Sequence, residues 1–235
     1  MPTPTDLDKL LDAALPHVAF DGWSDATFRA AVAESGVEPA LAATLAPRGA
    51  VDLALAFHRR GDARMVEGLK AMDLSAMKFR QRVATAVRLR LELVEDREAV
   101  RRGTTLFALP QHAALGAKAI WGTADAIWTA LGDTSDDFNW YTKRATLSGV
   151  YGATVLFWLG DDSAGHADTW AFLDRRIEDV MQIEKVKAQV NKNPVLGKLM
   201  AGPNWILSQI KPPPKMPRMD IPGIWPAPPQ DTKDA

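Results

Sequence analysis

Apolar residues recur at intervals of three and four along almost the whole chain to about residue 190, and strand signals are sparse. That periodicity is the signature of amphipathic helices. The stops and starts agree with it. A first helix covers Leu7–Leu15 and ends before Pro16, and a second opens at Ser24, a good N-cap, and closes at Gly36. A short third, Pro39–Leu45, carries its proline in the first turn, where a missing N–H costs nothing. Further helices are expected near 50–60, 62–72, 75–93, 96–108, 112–131, 138–159 and 167–190. The fold class is all-α.

The pattern then changes. Between Lys211 and Gln230 stand eight prolines, a density that excludes helix and reads as an extended, polyproline-like segment. The expected division is therefore 1–72, 73–191, 192–210 and a proline-rich tail at 211–235.

Composition excludes several chemistries. With no cysteine there are no disulfides and no thiolate metal sites. The four histidines, His17, His58, His112 and His166, have no ligand spacing, so no metal and no cofactor is expected. No phosphate loop and no nucleophile motif appears, and the carboxylates of 95–98 and 174–179 alternate with arginine as solvated surface does. The chain is read as no enzyme. Its start lacks the basic or Arg-rich pattern of a targeting segment. Its longest uncharged run, 145–160, falls short of the roughly 20 residues a membrane span needs. A cytoplasmic protein is expected on that reading.

Residues 7–60 run helix, helix, tight turn at Ser35-Gly36-Val37, short helix, longer helix. This order resembles the N-terminal helix-turn-helix of TetR-type regulators, whose short helix reads bases in the major groove. Here that helix, GVEPALAATLAP, has no Lys, Arg, Asn or Gln, and Glu38 is its only charge. Phosphate neutralisation and base reading both need such side chains, so the module is degenerate and no nucleic acid is expected as partner, although Arg29, Arg48, Arg59 and Arg60 flank it. A ligand-responsive TetR-type regulator is the alternative function.

The segment 138–159 pairs an aromatic, basic head (Asn139, Trp140, Tyr141, Arg144) with a body spotted by small residues. Ala145, Gly149, Gly152, Ala153 and Leu156 share one face. Each interior glycine costs about 1 kcal/mol against alanine, so two on one face need a reason. Either a neighbouring helix approaches closely, or small residues opposite Trp121 and Trp128 leave an apolar cavity. The head is open too: Trp140 plugs the core, or an aromatic–arginine cluster forms an interface hot spot.

Residues 193–210 gather Val195, Leu196, Leu199, Met200, Ile206, Leu207 and Ile210 on one side, with Trp205 nearby. From Glu184 to Arg218 there are seven basic residues against one acid. This is the pattern of a helix in an anionic membrane interface, or of a last core helix that folds back.

The stretches DTSDDFNWYTKRATL (133–147), DTWAFLDRRIEDV (168–180) and LDAALPHVAFDGWSDATFRAA (11–31) are similar to the lipid-binding accessory proteins of ubiquinone (coenzyme Q) biosynthesis. The resemblance spans 7–190 and leaves the end after Ile210 unmatched. It implies a TetR-like helical bundle, a homodimer, and an isoprenoid lipid or quinone intermediate bound by Trp121, Trp128, Gly149, Gly152, Ala153 and Leu156. It implies docking of the demethoxyubiquinone hydroxylase at Asn139, Trp140, Tyr141 and Arg144. It also implies a membrane-binding C-terminal amphipathic helix at 193–210. Together these place the protein in a bacterial cytoplasm, peripheral on the inner membrane.

Overall fold

A computed structural model describes residues 5–136 and 138–192, so the segments 193–210 and 211–235 lie outside the described residues. Among the described residues there is no strand. The helices are α1 Asp6–Asp21, α2 Asp25–Ser35, α3 Pro39–Leu45, α4 Ala50–Ala71, α5 Phe79–Glu92, α6 Arg97–Ala108, α7 Ala113–Ala130, α8 Phe138–Gly160 and α9 Ala167–Lys192. A 3-10 turn, Ala164–His166, precedes α9.

Local chemistry sets the early boundaries. Thr5 and Asp8 form a reciprocal capping box at the start of α1. Ser24 caps α2, and Gly36 ends it in the left-handed conformation at φ 69°, which only glycine adopts cheaply. Two expectations fail. α1 does not stop before Pro16 but runs through it to Asp21. The lost backbone bond is outweighed because Val18, two residues on, is fully buried. The two helices expected at 50–60 and 62–72 are one, α4, with Gly61 inside it.

Gly61 is explained by what crosses it. Val87 to Leu93 alternates apolar and charged residues strictly, a strand-like pattern, yet it lies in and just after α5. The helix turns Arg90 inward. Its guanidinium donates to Asp62 at 2.7 Å and to the His58 carbonyl at 2.9 Å. Thr123 of α7 donates to the same Asp62 carboxylate at 3.0 Å and meets His58 Nε2 at 2.8 Å. Burial keeps His58 below its ordinary pKa. A buried cation needs such partners, and here they join α4, α5 and α7.

Two apolar clusters result. Leu10, Leu11, Val18, Trp23 and Leu53 centre one among α1–α4, with Ala99 of α6. Met65, Val87, Ile127, Tyr151, Trp158 and Leu173 centre the other among α4, α5, α7, α8 and α9. α4 feeds both. At the far end of α8, Arg97 of α6 donates to the carbonyls of Trp158 and Asp161, and Arg101 to that of Leu159. These cations sit where a helix has unmet carbonyls and partial negative charge. Asp161 then accepts from Ser163 and from the backbone and hydroxyl of Thr169, fixing the start of α9.

In most helix interiors Gly→Ala stabilises by about 0.5–1 kcal/mol. At Gly61 a Cβ would stand 2.5 Å from the pinned Arg90 guanidinium carbon. Gly61→Ala is therefore expected to destabilise by about 1–3 kcal/mol, because it disturbs a buried ion pair. Urea unfolding of the two proteins measures the sign directly.

Candidate functional site: an apolar cavity and an aromatic patch

The acidic loop before α8 folds back on the helix it precedes. Asp133 lies ten residues before Lys143 and eleven before Arg144, and its carboxylate receives both. Lys143 Nζ reaches Oδ1 at 2.8 Å and Arg144 reaches Oδ2 at 3.0 Å. Ser135 adds a hydroxyl at 2.8 Å. Arg144 also donates to Asp125 of α7 at 2.5 Å. Burial alone would raise the Asp133 carboxyl, but bonds from Lys143, Ser135 and Arg144 outweigh it and hold the pKa at about 2.

On one side of this ion cluster is a cavity of about 190 Å³. Phe79 and Val83 of α5, Trp128 of α7, Thr146, Leu147 and Val150 of α8, and Ile177 and Val180 of α9 form its walls. Arg80, Asn139, Thr142 and Lys143 supply polar groups to its lining. The spacing 139, 142, 143, 146, 147, 150 is one face of α8. Phe79 stacks on Trp128 at 5.3 Å, and the Trp128 indole donates to the Lys143 carbonyl at 3.1 Å. Arg80 pairs with Glu178, linking α5 to α9 beside the cavity. Ligand pockets for drug-sized molecules run to roughly 300–1,000 Å³. At about 190 Å³ this cavity is smaller, with room for one ring or a short piece of chain.

On the other side is an aromatic patch. Trp140 and Tyr141 meet edge to face at 4.8 Å, and Trp121 of α7 packs on both at 6.0 and 6.4 Å. All three rings are half-buried. The Arg144 guanidinium lies 4.0 Å from the centre of the Trp140 ring.

Several expected site residues sit elsewhere. Of the six assigned to lipid, only Trp128 lines the cavity. Trp121 belongs to the aromatic patch. Gly149, Gly152, Ala153 and Leu156 face away from the cavity. A Cβ at Gly152 would meet Ile120 at 3.7 Å, ordinary interhelical contact, while nothing lies within 4 Å of one at Gly149. Leu156 is 61% exposed. The small face is outward because Leu147, Tyr151, Val155 and Trp158 claim the inward side with far more apolar area. Arg144 was expected at the surface but is only 2% exposed, held between two carboxylates beneath Trp140. Asn139 is exposed and lines the cavity rather than the patch. The residues set for the membrane, Val195, Leu196, Leu199, Met200, Trp205, Ile206, Leu207 and Ile210, lie outside the described residues.

Sequence reading missed the cavity walls Phe79, Val83, Ile177 and Val180, and the carboxylate of Asp133. The available signal was the 139–150 face of α8 and the acid ten residues before two adjacent cations. Among the described residues no three His, Asp or Glu side chains are grouped to hold a metal ion. No single described helix is long and apolar enough to cross a membrane.

Comparison with known proteins gives three findings. Residues 113–184, which include α7, the ion cluster, all of α8 and most of α9, match the COQ9 family model. The chain is 33% identical over 186 residues to the mitochondrial ubiquinone biosynthesis protein COQ9 of Drosophila melanogaster, covering 77% of this chain and 57% of that protein. It is 33% identical over 191 residues to the Rattus norvegicus protein of the same name, at 77% and 61% coverage. The chain thus spans about three fifths of the length of these curated relatives. In shape it is similar to a TetR transcriptional regulator from Nitrosomonas europaea, with a TM-score of 0.59 and 20% identity over 73% of this chain and 95% of that one. That likeness gives a TetR-like all-α fold, and fold alone. The relatives are named mitochondrial and come from eukaryotes, which overturns the expected location in a bacterial cytoplasm and on its inner membrane.

A carboxyl whose pKa falls from 3.8 to about 2 on folding adds stability that is fully present above pH 4 and lost as the pH drops toward 2. Asp133→Asn is expected to lower the melting temperature at pH 7, with the gap to the unmodified protein narrowing as the pH approaches 2. Thermal melts across pH 2–7 check both.

Proposed function

Starting from a chain akin to the COQ9 proteins of ubiquinone biosynthesis, we propose that it serves that pathway as a non-catalytic lipid carrier. It holds part of an isoprenoid quinone intermediate in the cavity between α5, α7, α8 and α9. It presents that lipid to a hydroxylase, the demethoxyubiquinone hydroxylase of the resemblance, which docks on Trp140 and Tyr141. The observation that carries the reading is the closeness of an apolar cavity to an aromatic patch, both built on the first turns of α8. Half-buried Trp and Tyr side chains are the anchors interfaces favour. A cavity of about 190 Å³ takes one end of the lipid, so the rest must lie along the surface or in a bilayer. The segment 193–210, with its apolar stripe and basic flanks, supplies reversible attachment to an anionic membrane in this reading.

The regulator alternative has less behind it. The exposed side of α3 presents Pro39, Ala40, Leu41, Ala43 and Thr44, which neither neutralise phosphates nor read bases.

Thr146 is exposed on the cavity lining, so Thr146→Trp fills the opening without touching the core. Native mass spectrometry of the purified protein is expected to find one bound isoprenoid lipid, depleted at least tenfold in Thr146→Trp. Trp140→Ala should keep the lipid and lose co-purification with the hydroxylase, a hot-spot loss of about 2 kcal/mol or more. Lipid content of zero in the unmodified protein, or unchanged in Thr146→Trp, rejects the carrier reading.

We also assign the outward face of α8 to self-association. Ala145, Gly149 and Leu156 are exposed there, and Phe157, stacked on Phe172 of α9, extends it. Small residues allow close approach of a second copy, and Leu156 and Phe157 are large apolar side chains left in water. Leu156→Glu is expected to convert a dimer to a monomer in light scattering after size exclusion, with helicity unchanged.

A further inference from the structure

The cavity and the aromatic patch share one support. Lys143 touches the cavity wall twice: its carbonyl accepts the Trp128 indole N–H at 3.1 Å, and its ammonium lies 5.1 Å from the centre of the same ring. Its neighbour Arg144 underlies the patch, 4.0 Å from the Trp140 ring centre and 3.2 Å from the Trp140 carbonyl. The two cations lie against different rings and meet at one group. Asp133 gives Oδ1 to Lys143 and Oδ2 to Arg144. The carboxylate and arginine side chains are each only 3% exposed, so water offers little substitute for that bond, while the lysine, at 36%, keeps its ammonium partly in water.

A carboxylate is rigid and planar, so a shift at one oxygen is felt at the other. A ligand entering between Phe79 and Trp128 displaces the indole and, through it, the carbonyl and ammonium of Lys143. We infer that Asp133 is a positioning residue that couples filling of the cavity to the setting of Trp140, so that the loaded and empty forms present different docking patches. This rests on the cavity and patch having the roles proposed above. By linkage the effect is reciprocal: whatever binds the patch better in its loaded setting also tightens the ligand. Such a device lets a partner favour the loaded form.

Indole N–H signals in an ¹⁵N NMR spectrum report each tryptophan separately. The full-length protein is titrated with ubiquinone carrying a single isoprene unit. The Trp128 and Trp140 signals are expected to move with the same apparent Kd, while Trp23, bonded to the Ala99 carbonyl in the other core, stays still and reports an intact fold. In Asp133→Asn, Trp128 should still move and Trp140 should not. If Asp133→Asn loses the Trp23 signal, Lys143→Met serves the same comparison, since it removes the ammonium that links the cavity wall to Asp133 and leaves the Arg144–Asp133 pair. A moving Trp128 with a still Trp140 in the unmodified protein overturns the coupling alone. So does a Trp140 that moves equally in the variant. A still Trp128 rejects the cavity reading and the coupling with it.

Discussion

One buried carboxylate, Asp133, ties the loop before α8 to the first turns of that helix, and the cavity and the aromatic patch lie on either side of it. Two cations from consecutive residues, about 100° apart around the helix, converge on it. Charges taken out of water are costly unless every one is paired and bonded, and breaking such a set costs roughly 3–5 kcal/mol. Here each member has a second task. Lys143 braces Trp128, Arg144 braces Trp140, and Arg144 also ties α8 to α7 through Asp125. The polar network therefore orients aromatic groups that apolar packing alone leaves free to turn.

The other end of α8 is held by the same kind of force in a different form. Arg97 and Arg101 cover its last carbonyls, and Asp161 organises the turn into α9, its carboxyl kept below the ordinary range by Ser163 and Thr169. A third cation, Arg90, sits in the core and demands a glycine at position 61. Arginine recurs in these places because its flat fork satisfies several carbonyl or carboxylate oxygens at once. With α8 pinned at both ends, its cavity face and its outward small face keep fixed directions.

Much of this was legible in advance. The 3.6-residue period gave the all-α class, Ser24 and Gly36 marked the second helix, and the Trp140–Tyr141 pair drew attention to the stretch where the ion cluster, the cavity and the aromatic patch meet. Other readings failed for identifiable reasons. Pro16 and Gly61 looked like helix ends because local propensity is a weak prior that packing overrides. The helix expected at 75–93 holds despite the alternation from Val87 to Leu93, because Arg90 finds Asp62 inside and Arg88 pairs with Glu92 along the surface.

The sequence by itself determined the helical period, the caps, and which residue types are available, since these depend on neighbours within a few positions. It also carried the similarity to COQ9 proteins, because 113–184 matches that family's model. Only the tertiary structure decided direction. Gly149 and Leu156 share a helix with Val150, yet one face meets water and the other a cavity, because that choice belongs to α5, α7 and α9. Arg144 looked like a surface hot spot because periodicity cannot show that Asp125 and Asp133 wait beneath it. Whether a charge is buried depends on partners brought from elsewhere in the chain, and only folding brings them.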